Sequence, residues 1–326
     1  MKEKRVLITT YQSAFLKPGG GEAELLSLVD VLRQAGISAD IYGSTSLNIE
    51  AYDVVLHFSV HGEGYEFVKS LKNMGKKIIL WPNLWWENPP LDRDIVFVRS
   101  FLKLADVVVF KSAAELNNIA EHIPLNDIKH EIIPWHIDAS FLNPVSTELF
   151  KNLYNLDQFI LWVGVVERSK NQLAAIEALN DFSIPLVFIG YHRDEEYFEE
   201  CRSLASENIL FLPYMKSGSD ILRSAIKGCT AYIELSPDPA GLSLIEAAYY
   251  ERPLVALRSD WSIESFGADA VLIDDVRRVS VIGGINKALD SSGPRPCKSK
   301  ILSKHLMLDS LNPLVEVINV HKASWN

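Results

Sequence analysis

Residues 159–171 read FILWVGVVERSKN, and the fold of the chain turns on this stretch. Phe159 to Val163 is apolar without alternation, the pattern of a strand buried on both faces of a parallel sheet. Gly164 ends it, a short loop follows, and helical spacing runs from Lys170 to Leu179. Arg168 and Lys170 thus stand beside a helix N-terminus. Cations there oppose the helix dipole unless an anion lies between them, and a diphosphate would resolve the conflict.

The same alternation of strand and helix extends both ways. Downstream, strands are expected at Leu186 to Gly190, Asn208 to Leu212, Ala231 to Leu235, Leu254 to Leu257 and Ala270 to Ile273, with a helix over Leu242 to Tyr250. Upstream they are expected at Arg5 to Tyr11, Ser38 to Gly43, Val54 to Ser59, Lys77 to Trp81, Val107 to Phe110 and Glu131 to Trp135. Leu25, Leu28, Val29 and Leu32 form one apolar helical stripe. Ser112 followed by Glu115 reads as a capping box opening a helix to Glu121. Between His136 and Asp157 the pattern breaks, with a short helix over Ser146 to Asn152, so this stretch reads as a connection. The expectation is an α/β chain with two doubly wound, Rossmann-like parallel-sheet domains, residues 1–150 and 151–326. A tail helix over Lys298 to His321, broken at Pro313, would pack back on the first domain.

Composition narrows the function. The 326 residues carry 32 basic and 42 acidic side chains, a formal net charge of −10, which argues against nucleic acid as the main partner. Cys201, Cys229 and Cys297 form no CxxC pair and lack zinc-spaced histidines, which suits a reducing cytoplasm. The apolar run at the N-terminus is too short for a signal peptide, and no stretch approaches the length of a spanning helix. A cytoplasmic protein is expected, at most peripheral at the inner face of the membrane.

In open α/β sheets ligands bind where strands lead into helices. One such loop is Pro18-Gly19-Gly20-Gly21-Glu22, whose glycines let backbone approach a phosphate at a helix N-terminus. It is neither a dinucleotide fingerprint nor a Walker loop. Another is Asp238-Pro239-Ala240-Gly241-Leu242-Ser243, where Gly241 and Leu242 offer backbone donors. Glu246, one turn into that helix, suits a grip on two vicinal hydroxyls such as those of a ribose. His57 reads as a packed strand residue, whereas His61 lies in a loop at a strand end. Asp92-Arg93-Asp94 reads as a helix start. Trp81, Trp85 and Trp86, near Lys69, Lys72, Lys76 and Lys77, fit a surface for a glycan or lipid.

Gly-Gly-x-Glu near the start, Gly164-x5-Lys170 and Asp238-x7-Glu246 together resemble the retaining glycosyltransferases of GT-B fold, group 1 (family 4-like). Ile133-Pro134-Trp135-His136-Ile137-Asp138 is similar to that family's domain junction. The stretches Leu104 to Val109 and Ala247 to Ala256 also resemble its motifs. The resemblance implies two domains facing across a cleft and transfer of a sugar from a UDP- or GDP-linked donor with retention. The acceptor would be a glycan, a lipid-linked sugar or a small molecule, and no cofactor or metal would be needed. It implies that Gly20, Gly21 and Gly164 approach the donor and that Lys170 neutralises the leaving diphosphate. Asp238 would hold the transferred sugar, Gly241 and Leu242 the phosphate, and Glu246 the ribose. The nucleobase would sit near Pro213-Tyr214-Met215.

Three positions depart from the pattern. Val165 stands where the family has Arg, leaving Arg168 to compensate. Asp238 replaces a Glu. Asn83 occupies the place of a His near the sugar, or His61 substitutes for that His. An inactive partner of another transferase, and a nucleotide-sugar epimerase, are the alternative readings.

Overall fold

A computed structural model describes residues 4–16, 19–239 and 241–319. Pro18 of the glycine loop, Ala240 and the end of the tail at His321 lie outside them. The chain divides into two compact units. The first takes the described residues up to His136 and those from Ser303 onward; the second is Ile137–Leu302.

In the first unit the order is β1 (Arg5–Thr9), α1 (Gly20–Gln34), β2 (Ser38–Ile41), β3 (Val54–Phe58), α2 (Tyr65–Asn73), β4 (Lys77–Trp81), α3 (Asp92–Leu102), β5 (Val107–Phe110), α4 (Ala113–Ala120) and β6 (His130–Ile132). The strands pair in parallel in the order β2-β1-β3-β4-β5-β6. All residues of β3, β4 and β5 are buried, which explains why their apolar runs show no in–out alternation. Helices cover the sheet through Val68, Leu71, Val98, Phe101 and Ile119.

The second unit runs α5 (Glu148–Tyr154), β7 (Ile160–Val163), α6 (Gln172–Leu179), β8 (Leu186–Ile189), α7 (Glu195–Leu204), β9 (Ile209–Leu212), α8 (Asp220–Gly228), β10 (Ala231–Glu234), α9 (Leu242–Tyr249), β11 (Leu254–Leu257), α10 (Asp260–Ser265), β12 (Val271–Ile273) and α11 (Arg278–Leu289). Its parallel order is β12-β11-β10-β7-β8-β9. Two helices follow, α12 (Lys298–His305) and α13 (Asn312–Asn319).

The two orders have one consequence for function. Each sheet starts at an inner strand, builds to one side and then returns to build on the other. The crevice at that reversal lies between β1 and β3 in the first sheet and between β7 and β10 in the second.

Several expectations shift. The boundary falls after His136 rather than at 150, because residues 138–154 are bound into the second unit. Buried Arg223 donates to the carbonyls of Ser140 and Asn143 at 2.6 and 2.8 Å, and Phe150 N–H donates to Ser224 Oγ at 2.9 Å. Pro313 does not break the tail helix. It sits in the first turn of α13, where its missing N–H costs nothing. The side chain of Lys4 donates to the carbonyls of Ile318 and Asn319 at the end of α13, at 3.0 and 2.6 Å, and Lys77 donates to that of Val317. The expected capping box at Ser112 is only half formed. Ser112 Oγ accepts from Glu115 N–H at 3.0 Å, but the Glu115 carboxylate accepts instead from the N–H groups of Lys111 and Leu84. Burial pushes the Glu115 carboxyl up to about 6.

Candidate functional site

At the second sheet's reversal the loop after β7 meets the loop after β10. Three contacts join them. Ser243 Oγ, in the first turn of α9, donates to Val163 O at 3.0 Å. Asn171 Nδ2 donates to Leu235 O at 2.9 Å. Lys170 Nζ donates to both carboxylate oxygens of Asp238, at 2.9 and 2.8 Å. The helix expected from Lys170 begins two residues later. Arg168–Lys170 is a 3-10 turn, and Asn171 takes a left-handed φ of 61° before α6. That turn swings Lys170 toward Asp238, so a carboxylate of the chain supplies the anion its position demands.

Close to this pair lies a third ionisable group that the sequence reading missed. Glu234 ends β10 and is buried, and Ser236 Oγ donates to its carboxyl. Burial pushes Glu234 up to about 7, although the Lys170 ammonium pulls the other way. Burial also opposes the charge on Lys170, but Asp238 and Glu234 outweigh it and hold the ammonium above the ordinary lysine value. The signal was an acidic residue inside the otherwise apolar run AYIEL.

Glu246 is 2% exposed on α9, and no described residue donates a hydrogen bond to its carboxyl. Burial, with Asp138 nearby, pushes it up to about 8 from the ordinary 4.5. The fold therefore favours its neutral form, contributing stability at low pH that is lost as pH rises toward 8. The Tm advantage of Glu246→Gln over wild type should accordingly open between pH 4.5 and 8 and level off above. Differential scanning calorimetry of both proteins across that range checks it; a gap independent of pH would contradict it. Gly241 caps α9 without a side chain, so the N–H groups of the first turn have no side-chain acceptor at the cap.

Arg168 is not brought to this cluster. Its guanidinium bonds Glu200 at 3.0 Å and lies 5.0 Å from the centre of the Tyr197 ring. Gly164 is less constrained than its place suggested, since a Cβ there would meet only Trp162, at 3.7 Å. The demanding glycine is Gly190, where a Cβ would run into the carbonyl of Gly164. At the ends of β8 and β9, Tyr191 and Tyr214 stack with ring centres 4.6 Å apart, yet stay 43% and 41% exposed.

In the first unit the reversal between β1 and β3 is also furnished. Ser13 N–H and Oγ both donate to Glu63 Oε2 at 3.0 Å, and the Tyr11 ring lies 4.6 Å from that of exposed His61. Gly20 opens α1 with free space around it, whereas a Cβ on Gly21 would press on Phe58 at 3.1 Å. Glu22 ties the turn down, accepting from Gly19 N–H at 2.7 Å and from Tyr11 OH at 3.2 Å. Asn83 follows β4 with a left-handed φ of 48° and is exposed. His57 is buried, paired with Thr9 Oγ1 at 2.8 Å and lowered by burial to about 4, so it is a packed strand residue.

Trp81 is likewise buried, and Asp92 and Asp94 open α3. The nearby lysines are engaged within the unit: Lys69 with Glu66, Lys72 with Asp106, Lys76 with Tyr52 O and Lys77 with Val317 O. Among the described residues no helix is long and apolar enough to cross a membrane.

The sequence matches no family model and no curated protein. Solved structures do match over nearly the whole chain. A sucrose-phosphate synthase from Thermosynechococcus elongatus aligns with TM-score 0.74 at 12% identity, covering 97% of this chain and 98% of that one. A glycosyltransferase from Rickettsia africae ESF-5 aligns with TM-score 0.71 at 14% identity, covering 98% of each. The UDP-GlcNAc 2-epimerase of Methanocaldococcus jannaschii, solved with UDP-GlcNAc and UDP, aligns with TM-score 0.61 at 12% identity, covering 97% and 99%. The fold is therefore GT-B, with two Rossmann-like units.

Proposed function

We propose that this chain is a glycosyltransferase that takes a sugar from a nucleoside-diphosphate donor held by the second unit. The observation that carries this reading is Glu246: buried, with no hydrogen-bond donor among the described residues, on the helix whose first turn is tied to the end of β7. A carboxyl left without partners inside a protein is costly, and two ribose hydroxyls would satisfy it. The diphosphate would lie against Lys170 and the N–H groups at Gly241 and Leu242, with Asp238 toward the sugar. Tyr191 and Tyr214 offer an exposed aromatic face for the base.

In the reaction, an acceptor hydroxyl oxygen bonds to the anomeric carbon on the face the diphosphate leaves. The bond from that carbon to the phosphate oxygen breaks, and its electron pair stays on the diphosphate. The hydroxyl proton passes to the departing phosphate, so neither a base nor a metal is required. The acceptor in this reading is a glycan, a lipid-linked sugar or a small molecule.

Thermal stabilisation by UDP, GDP and ADP tests the binding step. At about 100 times its dissociation constant the right nucleotide should add roughly 2.7 kcal/mol to wild type. Glu246→Ala should lose most of that gain. Equal stabilisation of both proteins would remove Glu246 from the ribose site. The fold shared with an epimerase supports a second reading, in which the donor is isomerised and no acceptor is used.

A further inference from the structure

Lys111 directly follows β5, and its side chain is 3% exposed beside a Glu24 that is 10% exposed. Its ammonium lies 2.6 Å from Glu24 Oε2 and also donates to Asn83 Oδ1. The ring centres of Phe58 and Trp135 are 4.9 and 4.3 Å away. Burial raises the pKa of Glu24, with the nearby Lys111 ammonium acting against the rise. Apolar side chains of similar volume would stabilise this spot about as well as a buried ion pair. The pair therefore points to something other than stability.

Its effect on Asn83 follows from chemistry. An ammonium has only donors, so the oxygen of the Asn83 amide must face Lys111 and the NH2 must face away. Consistent with this, Nδ2 is the Asn83 atom nearest the position of a Cβ on Gly21, at 3.8 Å. No described residue accepts from that NH2. Asn83 is thus an exposed donor of fixed orientation, standing over the Gly20–Gly21 turn.

We propose that Lys111 and Glu24 are positioning residues that lock Asn83 as a donor-only group, so that this subsite recognises an oxygen lone pair of the substrate. A sugar hydroxyl or a phosphate oxygen fits; a group that must itself donate a proton there does not. The inference rests on the glycosyl-transfer reading.

The test uses the full chain and the nucleotide sugar that stabilises wild type, following release of nucleoside diphosphate. Asn83→Ala and Lys111→Met should each lower kcat/KM roughly tenfold, the scale of one hydrogen bond, and the double variant should be no worse than Asn83→Ala. Asn83→Asp is decisive, because it keeps or strengthens the pairing with Lys111 but has no NH2. It should retain the wild-type Tm and still lose about tenfold in kcat/KM. A purely structural pin would leave Asn83→Asp fully active, and that result, or multiplicative losses in the double variant, overturns the inference alone. Should Lys111→Met fail to fold, Asn83→Asp on the exposed side of the pair still decides the matter. A wild type that releases no nucleoside diphosphate overturns the glycosyl-transfer reading and the inference with it.

Discussion

Replacing Lys170 by Ala should lower turnover of the nucleotide sugar by about 100-fold or more, the scale of losing one preorganised donor to a developing anion. Lys170 sits at the β7/β10 reversal, paired with Asp238, and is held charged by Asp238 and Glu234. In the proposed transfer, negative charge accumulates on the diphosphate when the bond to the sugar breaks. A fixed ammonium stabilises that charge without any reorganisation, and most of the effect should fall on kcat. The variant also leaves the carboxyls of Glu234 and Asp238 together without a cation. Glu234, already raised to about 7, should climb further and hold its proton. Tm measured alongside kcat separates this electrostatic cost from the catalytic one. Turnover within a fewfold of wild type would remove Lys170 from the reaction.

Gly190→Ala should destabilise the protein by about 3 kcal/mol, the upper part of the range for forcing atoms into a packed interior. Gly190 follows β8, and its N–H donates to Leu212 O at 3.2 Å, while Gly164 N–H donates to Ile189 O at 3.0 Å. These bonds hold the strand ends together so closely that an added methyl meets the Gly164 carbonyl, and backbone cannot rotate aside as a side chain can. For a domain of this size the loss corresponds to a Tm drop of roughly 6–12 °C. Gly164→Ala is the control, since its Cβ has ordinary contacts and should cost little. Thermal unfolding of the two variants side by side checks the pair. Similar losses in both would show that the strand ends are not packed this way.

The contrast between those glycines shows what was legible in the sequence. Unbroken apolar runs located the strands to within a residue or two in most cases, because burial on both faces leaves no alternation to misread. Strand order was not legible, since it depends on which helix crosses which face. Without the order, nothing marks β7 and β10 as the reversal, although spacing singles out Lys170, Asp238, Gly241 and Glu246. Gly164 is conspicuous at a strand end, but only the neighbouring strand shows that Gly190 carries the steric demand. The pairing of Arg168 was hidden for a similar reason. Its partner Glu200 lies on α7, and nothing in the sequence brings those residues together. Lys111 and Glu24 are 87 positions apart, and their meeting at Asn83 appears only in the folded unit.

The most direct measurement is to incubate the chain with the nucleotide sugar that stabilises it and a panel of sugar acceptors, and to identify the nucleotide products. Glycosyl transfer predicts free nucleoside diphosphate in proportion to sugar moved onto an acceptor, with release falling in Lys170→Ala. Recovery of the donor unchanged, or as its epimer, would contradict it.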